Sequence, residues 1–162
     1  MIFDIVLGDP ARDSLEIEAL LREVYVAGGF TDPDRAESLF LAPAIFARGR
    51  VLVSRDRATQ RLMGMVIVAS ASSPARRLAE SGESEMHLLA VGAPFRQRGL
   101  GDSLVGAALD LSRREGDRKM VLWTQPSMTS AHRLYLRHGF VRVEARDFEQ
   151  AGRKFLVFER EL

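Results

Sequence analysis

The chain has 162 residues, of which 46% are hydrophobic and 28% charged, a size and composition that suit one globular domain. Its 23 basic and 22 acidic side chains leave a net charge of +1, which does not favour a nucleic-acid partner. The absence of cysteine excludes disulfides, thiolate catalysis and cysteine-bound zinc, and the three histidines have no metal-ligand spacing, so no metal site is predicted.

In chain order, apolar runs and helical periodicity predict five elements before a surface loop over residues 70–84. Gly28-Gly29 ends the first helix, and Pro43 kinks or ends the second. The predicted elements are a strand at 2–7, helices at 14–26 and 34–46, and two hairpin strands at 51–53 and 62–69.

The second half continues with alternating strands and helices and finishes with two β-rich runs. This mixed order predicts one α/β domain over residues 1–162, with a mixed sheet covered by helices on both faces. The predicted elements are a strand at 85–91, a helix at 99–115, a strand at 119–124, a helix at 129–138, and β-rich runs at 140–148 and 154–160.

Residues 89–102 run from a strand through a basic, glycine-containing loop into an amphipathic helix. A helix N-terminus offers unpaired N–H groups and partial positive charge to an anion. Gly99 and Gly101 let the backbone approach a phosphate closely, and Arg96 and Arg98 add positive charge. The segment lacks both the P-loop ending and the three-glycine dinucleotide fingerprint. It therefore predicts a pyrophosphate cradle, with an ordinary turn and solvated arginines as the alternative.

Arg96-x-x-Gly99-x-Gly101 resembles the coenzyme A-binding motif of the GNAT superfamily of N-acetyltransferases. A second match follows in the order expected: residues 131–140 resemble that family's short helix ending in Leu-Tyr-x-x-x-Gly-Phe. The resemblance is good over residues 62–158, but Met128 stands where the family often has Asn. It implies a single GNAT-like domain with a mixed, mostly antiparallel central sheet of about six to seven strands.

The resemblance also implies that acetyl-CoA is the acyl donor, with no metal. In similar proteins two neighbouring strands splay apart, here near Val91 and Gln125, and the pantetheine arm of the cofactor lies in the gap; ordinary sheet pairing is the alternative. The Leu89 N–H is then the predicted donor to the thioester carbonyl and its oxyanion. The predicted pantetheine contacts are Leu89, Ala90 and Val91, and the predicted pyrophosphate contacts are Arg96, Gln97, Arg98, Gly99, Leu100, Gly101 and Asp102.

Three side chains are predicted to be catalytic. Tyr135 is the candidate general acid for the leaving thiolate, and a packing role is its alternative. An amine of pKa about 10.4 must lose a proton before it attacks. Glu85, used as a base by some family members, and His87 are the candidate bases. Strand alternation places both on one face together with Leu89. The alternative for each is a surface or edge position without a chemical role.

We therefore expect an N-acetyltransferase in which a primary amine attacks acetyl-CoA directly. A small-molecule acceptor is favoured, and a protein N-terminus or lysine is the second choice. A non-catalytic acyl-CoA sensor and an unrelated nucleotide-binding domain are the rival hypotheses. Arg76-Arg77 and the charged residues between 142 and 153 are predicted to be solvated, or to contact the substrate. Trp123 is expected in the core or beside the acyl group.

The remaining expectations concern location and assembly. The longest strongly apolar run, at 62–69, is much shorter than the roughly 20 residues of a membrane-spanning helix, and the N-terminus lacks signal-peptide features. We therefore expect a cytoplasmic protein with no membrane partner. Dimers are common among similar proteins, so the resemblance allows a homodimer.

Overall fold

The central sheet contains eight strands in the computed structural model, which describes residues 1–162. The strand order is β1-β2-β3-β4-β5-β8-β6, with β7 paired to β8, and every neighbouring pair is antiparallel except the parallel pair β4–β5. The predicted fold class is confirmed. The strands are β1 Phe3–Leu7, β2 Arg50–Asp56, β3 Leu62–Ser70, β4 Glu83–Val91, β5 Lys119–Thr124, β6 Val141–Arg142, β7 Phe148–Gln150 and β8 Arg153–Glu161.

Helices cover both faces of this sheet, as predicted. One apolar core joins α4 and α5 to residues such as Val66 and Leu122, and a second joins α1, α2 and α3 to residues such as Val53 and Ile67. No helix is both long enough and apolar enough to cross a membrane. The helices are α1 Pro10–Leu21, α2 Pro33–Leu39, α3 Ala42–Ala47, α4 Leu100–Arg114 and α5 Thr129–Arg137.

The N-terminal helices differ from their predicted bounds. The helix expected at 14–26 begins at Pro10, where the Asp9 carboxylate caps the amides of Ala11 and Arg12. It ends as a π-helical turn at Arg22–Val26. The single helix expected at 34–46 is two helices, because Leu41 is extended and Pro43 lies in the first turn of α3.

The β-rich run predicted at 140–148 was largely wrong. Only Val141–Arg142 pairs with β8 before a 3₁₀ turn at Glu144–Arg146. The Arg142 guanidinium pairs with the Asp147 carboxylate, which also accepts the Val157 amide at 3.0 Å. These bonds hold the segment against β8 without a continuous ladder.

Strand β4 contains the irregularity that shapes the site. Opposite β3 the register passes from Met65↔Ala90 to Ile67↔His87, so two residues of β4 face one residue of β3. Leu88 in this bulge has φ 50°. On the other side the pairing of β4 with β5 ends at Met86↔Leu122, and beyond that point the strands have no mutual ladder. The predicted splay between these two strands is confirmed.

Candidate functional site

A groove of about 750 Å³ runs between the end of β4 and the N-terminal ends of α4 and α5. We call it the α4 groove. Its walls include eight of the ten predicted cofactor-binding residues, whereas Ala90 and Arg98 do not line it. The eight are Leu89, Val91, Arg96, Gln97, Gly99, Leu100, Gly101 and Asp102.

The backbone amides of residues 97–102 donate to no acceptor within the protein. Gln97 and Gly99 have φ of 59° and 78°, a left-handed backbone that turns successive N–H groups the same way. Gly99 caps the fifteen-residue helix α4, whose partial positive charge lies at this end. The structure thus has a row of unpaired N–H groups at the segment for which the sequence predicts a pyrophosphate cradle.

The charged side chains around the cradle have different partners. The Asp102 carboxylate accepts from Arg137 Nη2 at 3.1 Å and from His138 Nε2 at 3.1 Å, which ties α4 to α5. These ion pairs lower the pKa of Asp102 against the effect of its burial. Arg96 Nε donates to the Val91 carbonyl at 3.1 Å. Only the backbone amide of Asp102, and not its carboxylate, can therefore donate a hydrogen bond to a bound anion.

A second cavity of about 630 Å³ lies on the other side of β4. We call it the inner cavity; residues from α2, α3, β4, β5 and the β7–β8 hairpin line it. It meets the α4 groove at the gap between β4 and β5. Five residues line both spaces: Tyr25, Phe30, Leu89, Met128 and Tyr135.

Tyr135 lies at this junction, where its ring makes an edge contact with Phe140 and a tilted contact with Phe158. The residue is 7% exposed, and its hydroxyl makes no hydrogen bond within the protein. Burial raises the pKa of Tyr135 well above its usual value, so the phenol stays protonated at neutral pH. Its hydroxyl is a proton donor available to a molecule bound at the junction.

Glu85 and His87 lie on the same face of β4, with Glu85 Oε1 2.7 Å from His87 Nε2. The Glu85 carboxylate is fully buried, does not line the inner cavity, and also accepts the amides of residues 77, 78 and 79. Burial raises its pKa, but the hydrogen bonds from His87 and these amides outweigh that effect and lower the pKa of Glu85. The carboxylate is therefore placed to orient His87, which does line the cavity.

The ring of His87 is neutral in this arrangement. Arg48 Nη1 lies 3.3 Å from His87 Nδ1. Because a guanidinium only donates, Nδ1 accepts and Nε2–H donates to Glu85. Desolvation by burial is the largest cause that lowers the pKa of His87, and the Arg48 charge lowers it further. His87 Nδ1 is thus the unprotonated nitrogen of a residue that lines the cavity.

The prediction that Leu89 shares the face of Glu85 and His87 was wrong. Leu89 packs with the α4-side core, whereas His87 stacks near Trp123, 4.9 Å between ring centroids, on the opposite face. The bulge at Leu88 inserts one extra residue, which reverses the alternation beyond it.

Tyr25 is a site residue that sequence reasoning missed. Its hydroxyl donates to the Leu89 carbonyl at 2.8 Å, 64 positions away in sequence. The available signal was composition: the chain has two tyrosines, and both line the junction. Their shared location depends on the packing of the π-helical turn against β4, which no local pattern reveals.

Of the other residues singled out in the sequence, some line the inner cavity and some form ion pairs away from it. Met128 lines the junction, and its Sδ accepts from the Thr124 hydroxyl at 3.4 Å. Arg76, Arg77, Trp123, Gln125 and Arg153 line the inner cavity. Before the β7–β8 hairpin, charged side chains form ion pairs: Arg142 with Asp147, and Arg146 with Glu83 and Glu159.

Comparisons with known proteins agree on one family. The model of the acetyltransferase (GNAT) family matches residues 15–140. A mycothiol acetyltransferase of Corynebacterium diphtheriae is 35% identical over 68 residues, which are 42% of this chain and 22% of that protein. The chain thus spans less than a quarter of the length of this relative.

Solved structures with low identity share the fold. A GNAT-family acetyltransferase of Staphylococcus aureus is 16% identical with a TM-score of 0.78, and the alignment covers 99% of both chains. A Salmonella typhimurium protein, described as an acetyltransferase with its cofactor acetyl-CoA, is 18% identical with a TM-score of 0.72. That alignment covers 100% of this chain and 95% of the other.

Proposed function

The chain belongs to the acetyltransferase (GNAT) family, and from that premise we propose that it transfers an acetyl group from acetyl-CoA to a primary amine by direct attack. The observation that carries the proposal is the row of free amides at residues 97–102. They open on a groove that reaches a second cavity at Tyr135.

The α4 groove fits acetyl-CoA. Its amide cradle suits a pyrophosphate, because several preorganised N–H donors at a helix N-terminus favour a multiply charged anion. Beyond Met86 the edge of β4 has no ladder with β5, which leaves room for an extended, amide-containing arm near Leu89 and Val91. A groove of about 750 Å³ is large enough for a cofactor of this kind. Bound acetyl-CoA supplies an activated thioester.

The side chains at the junction have complementary roles. Tyr135 is the proposed proton donor to the departing sulfur, since its hydroxyl is protonated at neutral pH and has no acceptor within the protein. His87 accepts the proton of the attacking amine at Nδ1, with Glu85 holding Nε2–H. Because Nδ1 accepts from Arg48, that guanidinium must release it before the transfer. Glu85 is in this scheme a positioning residue.

A small molecule is the proposed acceptor. The inner cavity of about 630 Å³ is within the range of ordinary small-molecule sites.

The walls of the inner cavity come from both halves of the chain, and β1 and β8 belong to one sheet. We accordingly propose that residues 1–162 act as one catalytic domain.

The test is a coenzyme-release assay with acetyl-CoA and a panel of small amines. The protein has no cysteine, so a thiol reagent reports the released coenzyme without background. Amine-dependent release is expected. A folded protein that shows no calorimetric heat with acetyl-CoA would overturn the proposal. Binding without release for any amine or peptide would instead support the sensor hypothesis.

A further inference from the structure

The wall of the inner cavity has a strong charge bias. Five arginines line it, and no aspartate, glutamate or lysine does. A cavity with these walls repels a simple ammonium ion, although the proposed substrate is an amine. The five are Arg35, Arg48, Arg76, Arg77 and Arg153.

Two of these arginines already have structural partners. Arg153 Nη2 pairs with the Asp32 carboxylate at 2.9 Å, and its Nη1 donates to the Gly29 carbonyl at 2.9 Å. Arg76 Nη1 donates to the Ala79 carbonyl at 2.9 Å. These two guanidinium groups therefore have structural roles in holding loops together. The other three arginines do not have such partners.

The remaining three arginines have no carboxylate partner. Arg35 makes no side-chain hydrogen bond within the protein, and Arg48 makes only the 3.3 Å contact with His87. The Arg77 guanidinium lies 3.9 Å from the centre of the Phe148 ring and is not paired with an anion. Glu85 directs its oxygens to His87 and to the amides of residues 77–79 instead.

We propose that the acceptor is an amine that also carries a carboxylate, and that Arg35, Arg48 and Arg77 bind this carboxylate in the inner cavity. The inference rests on the proposed function and specifies its substrate class. Guanidinium groups bind carboxylates with two parallel hydrogen bonds, and a partly buried cation gains most from such a partner.

The same charges favour the reaction as well as binding. A positive field lowers the pKa of a bound amine, because it destabilises the ammonium form. The neutral amine is the form that attacks. An anionic substituent that draws Arg48 towards itself also frees His87 Nδ1 to accept a proton. One charged group on the substrate thus serves affinity and base activation together.

Matched acceptors test this inference. Coenzyme release is measured with L-phenylalanine, L-phenylalaninamide and phenethylamine, and with L-methionine, L-methioninamide and 3-(methylthio)propylamine. We expect kcat/KM to be at least tenfold higher for the carboxylate member of at least one series. Equal or better turnover of the members that lack the carboxylate overturns the inference and leaves the proposed acetyltransferase activity intact. Release with none of the carboxylate amines also overturns it. Loss of acetyl-CoA binding is the separate result that overturns the proposed function.

Two single variants assign the effect to the cavity. Arg77→Met and Arg35→Met should each raise KM for the preferred carboxylate amine at least tenfold and leave the Kd for acetyl-CoA unchanged. Arg114→Met, on the exposed end of α4 outside both spaces, is the matched control. Thermal unfolding confirms that each variant is folded. An unchanged KM in whichever of the two variants is folded contradicts the inference.

Discussion

At the residue scale, Tyr135 combines burial with a hydroxyl that has no protein acceptor. Its raised pKa keeps the proton on the phenol through the neutral range. We predict that Tyr135→Phe lowers kcat by about 100-fold, the lower end of the range for a lost general acid. The Kd for acetyl-CoA, measured by calorimetry, should stay the same. Unchanged turnover would remove Tyr135 from the mechanism.

Tyr25→Phe is the informative comparison at the same junction. The Tyr25 hydroxyl already donates to the Leu89 carbonyl, so its removal costs a structural hydrogen bond and no proton donor. We therefore expect a much smaller fall in kcat than for Tyr135→Phe, and an equally large fall would contradict the assignment of the acid to Tyr135 alone.

The protonation of His87 determines the pH below which we expect kcat/KM to fall, on the acid limb of the pH profile. Burial, and then Arg48, lower its pKa below the ordinary value of about 6.5, so the ring protonates only at a pH lower than that. We predict that kcat/KM falls on the acid side with a midpoint below that value. The Glu85 carboxylate raises the pKa of His87, and Glu85→Gln should therefore move the limb to still lower pH. A limb that does not move in this variant would contradict the coupling.

At the element scale, the start of α4 depends on a left-handed residue. Gly99 has φ 78°, which costs a residue with a side chain about 1–2 kcal/mol. We predict that Gly99→Ala weakens acetyl-CoA binding at least fivefold in calorimetry, because the strained turn misdirects the amides of the cradle. Gly106→Ala on the same helix is the control: a Cβ there meets nothing within 4 Å, so binding should be unaffected. Equal affinity of both variants would show that the cradle tolerates a different backbone.

The first helix depends on a buried ionic cluster. Burial raises the pKa of Asp13, but Arg12, the Asp9 amide and Arg55 outweigh it and lower the pKa to about 2. Because the folded-state pKa is depressed, this contribution to stability is complete above the unfolded value of about 3.9 and is lost as pH falls through 2.

We predict that Asp13→Asn lowers the free energy of unfolding by about 2 kcal/mol at pH 7, since it removes the charged hydrogen bonds of Asp13 and leaves the buried Arg55 with Glu16 as its carboxylate partner. The difference from the unmutated protein should shrink between pH 4 and pH 2 in urea denaturation. Asp110→Asn, which removes an exposed pair with Arg113, should change stability little. A pH-independent difference would mean that the charge of Asp13 is unimportant.

At the scale of the whole molecule, the β4–β5 gap connects two spaces that lie on opposite sides of β4. Met128 lines both of them. We predict that Met128→Trp lowers kcat/KM at least tenfold by filling the junction, while binding of adenosine 3′,5′-bisphosphate, which lacks the pantetheine arm, is retained. Leu136→Trp is the control, because Leu136 on α5 is 57% exposed and lines neither space. Full activity of Met128→Trp would place the acyl group elsewhere.

The sequence by itself determined the properties that reside in a continuous segment. The glycine-capped start of α4, with its unpaired amides at residues 97–102, needs only glycines and the beginning of one helix, so the residue types predict this local geometry directly. Likewise, the apolar period of α4 and the placement of Glu85 and His87 on one face of β4 follow from local spacing, whereas their hydrogen bond is seen only in the structure.

Only the tertiary structure decided the features that depend on register and on distant residues. The bulge at Leu88 arises from the register of β4 against β3, and it reverses the side-chain alternation that would otherwise place Leu89 beside His87. The inner cavity collects Arg35, Arg48 and Arg77 from three separate segments. Their charges act together on a bound molecule only because folding places all three in the wall of one cavity, and no local sequence pattern shows that they share it.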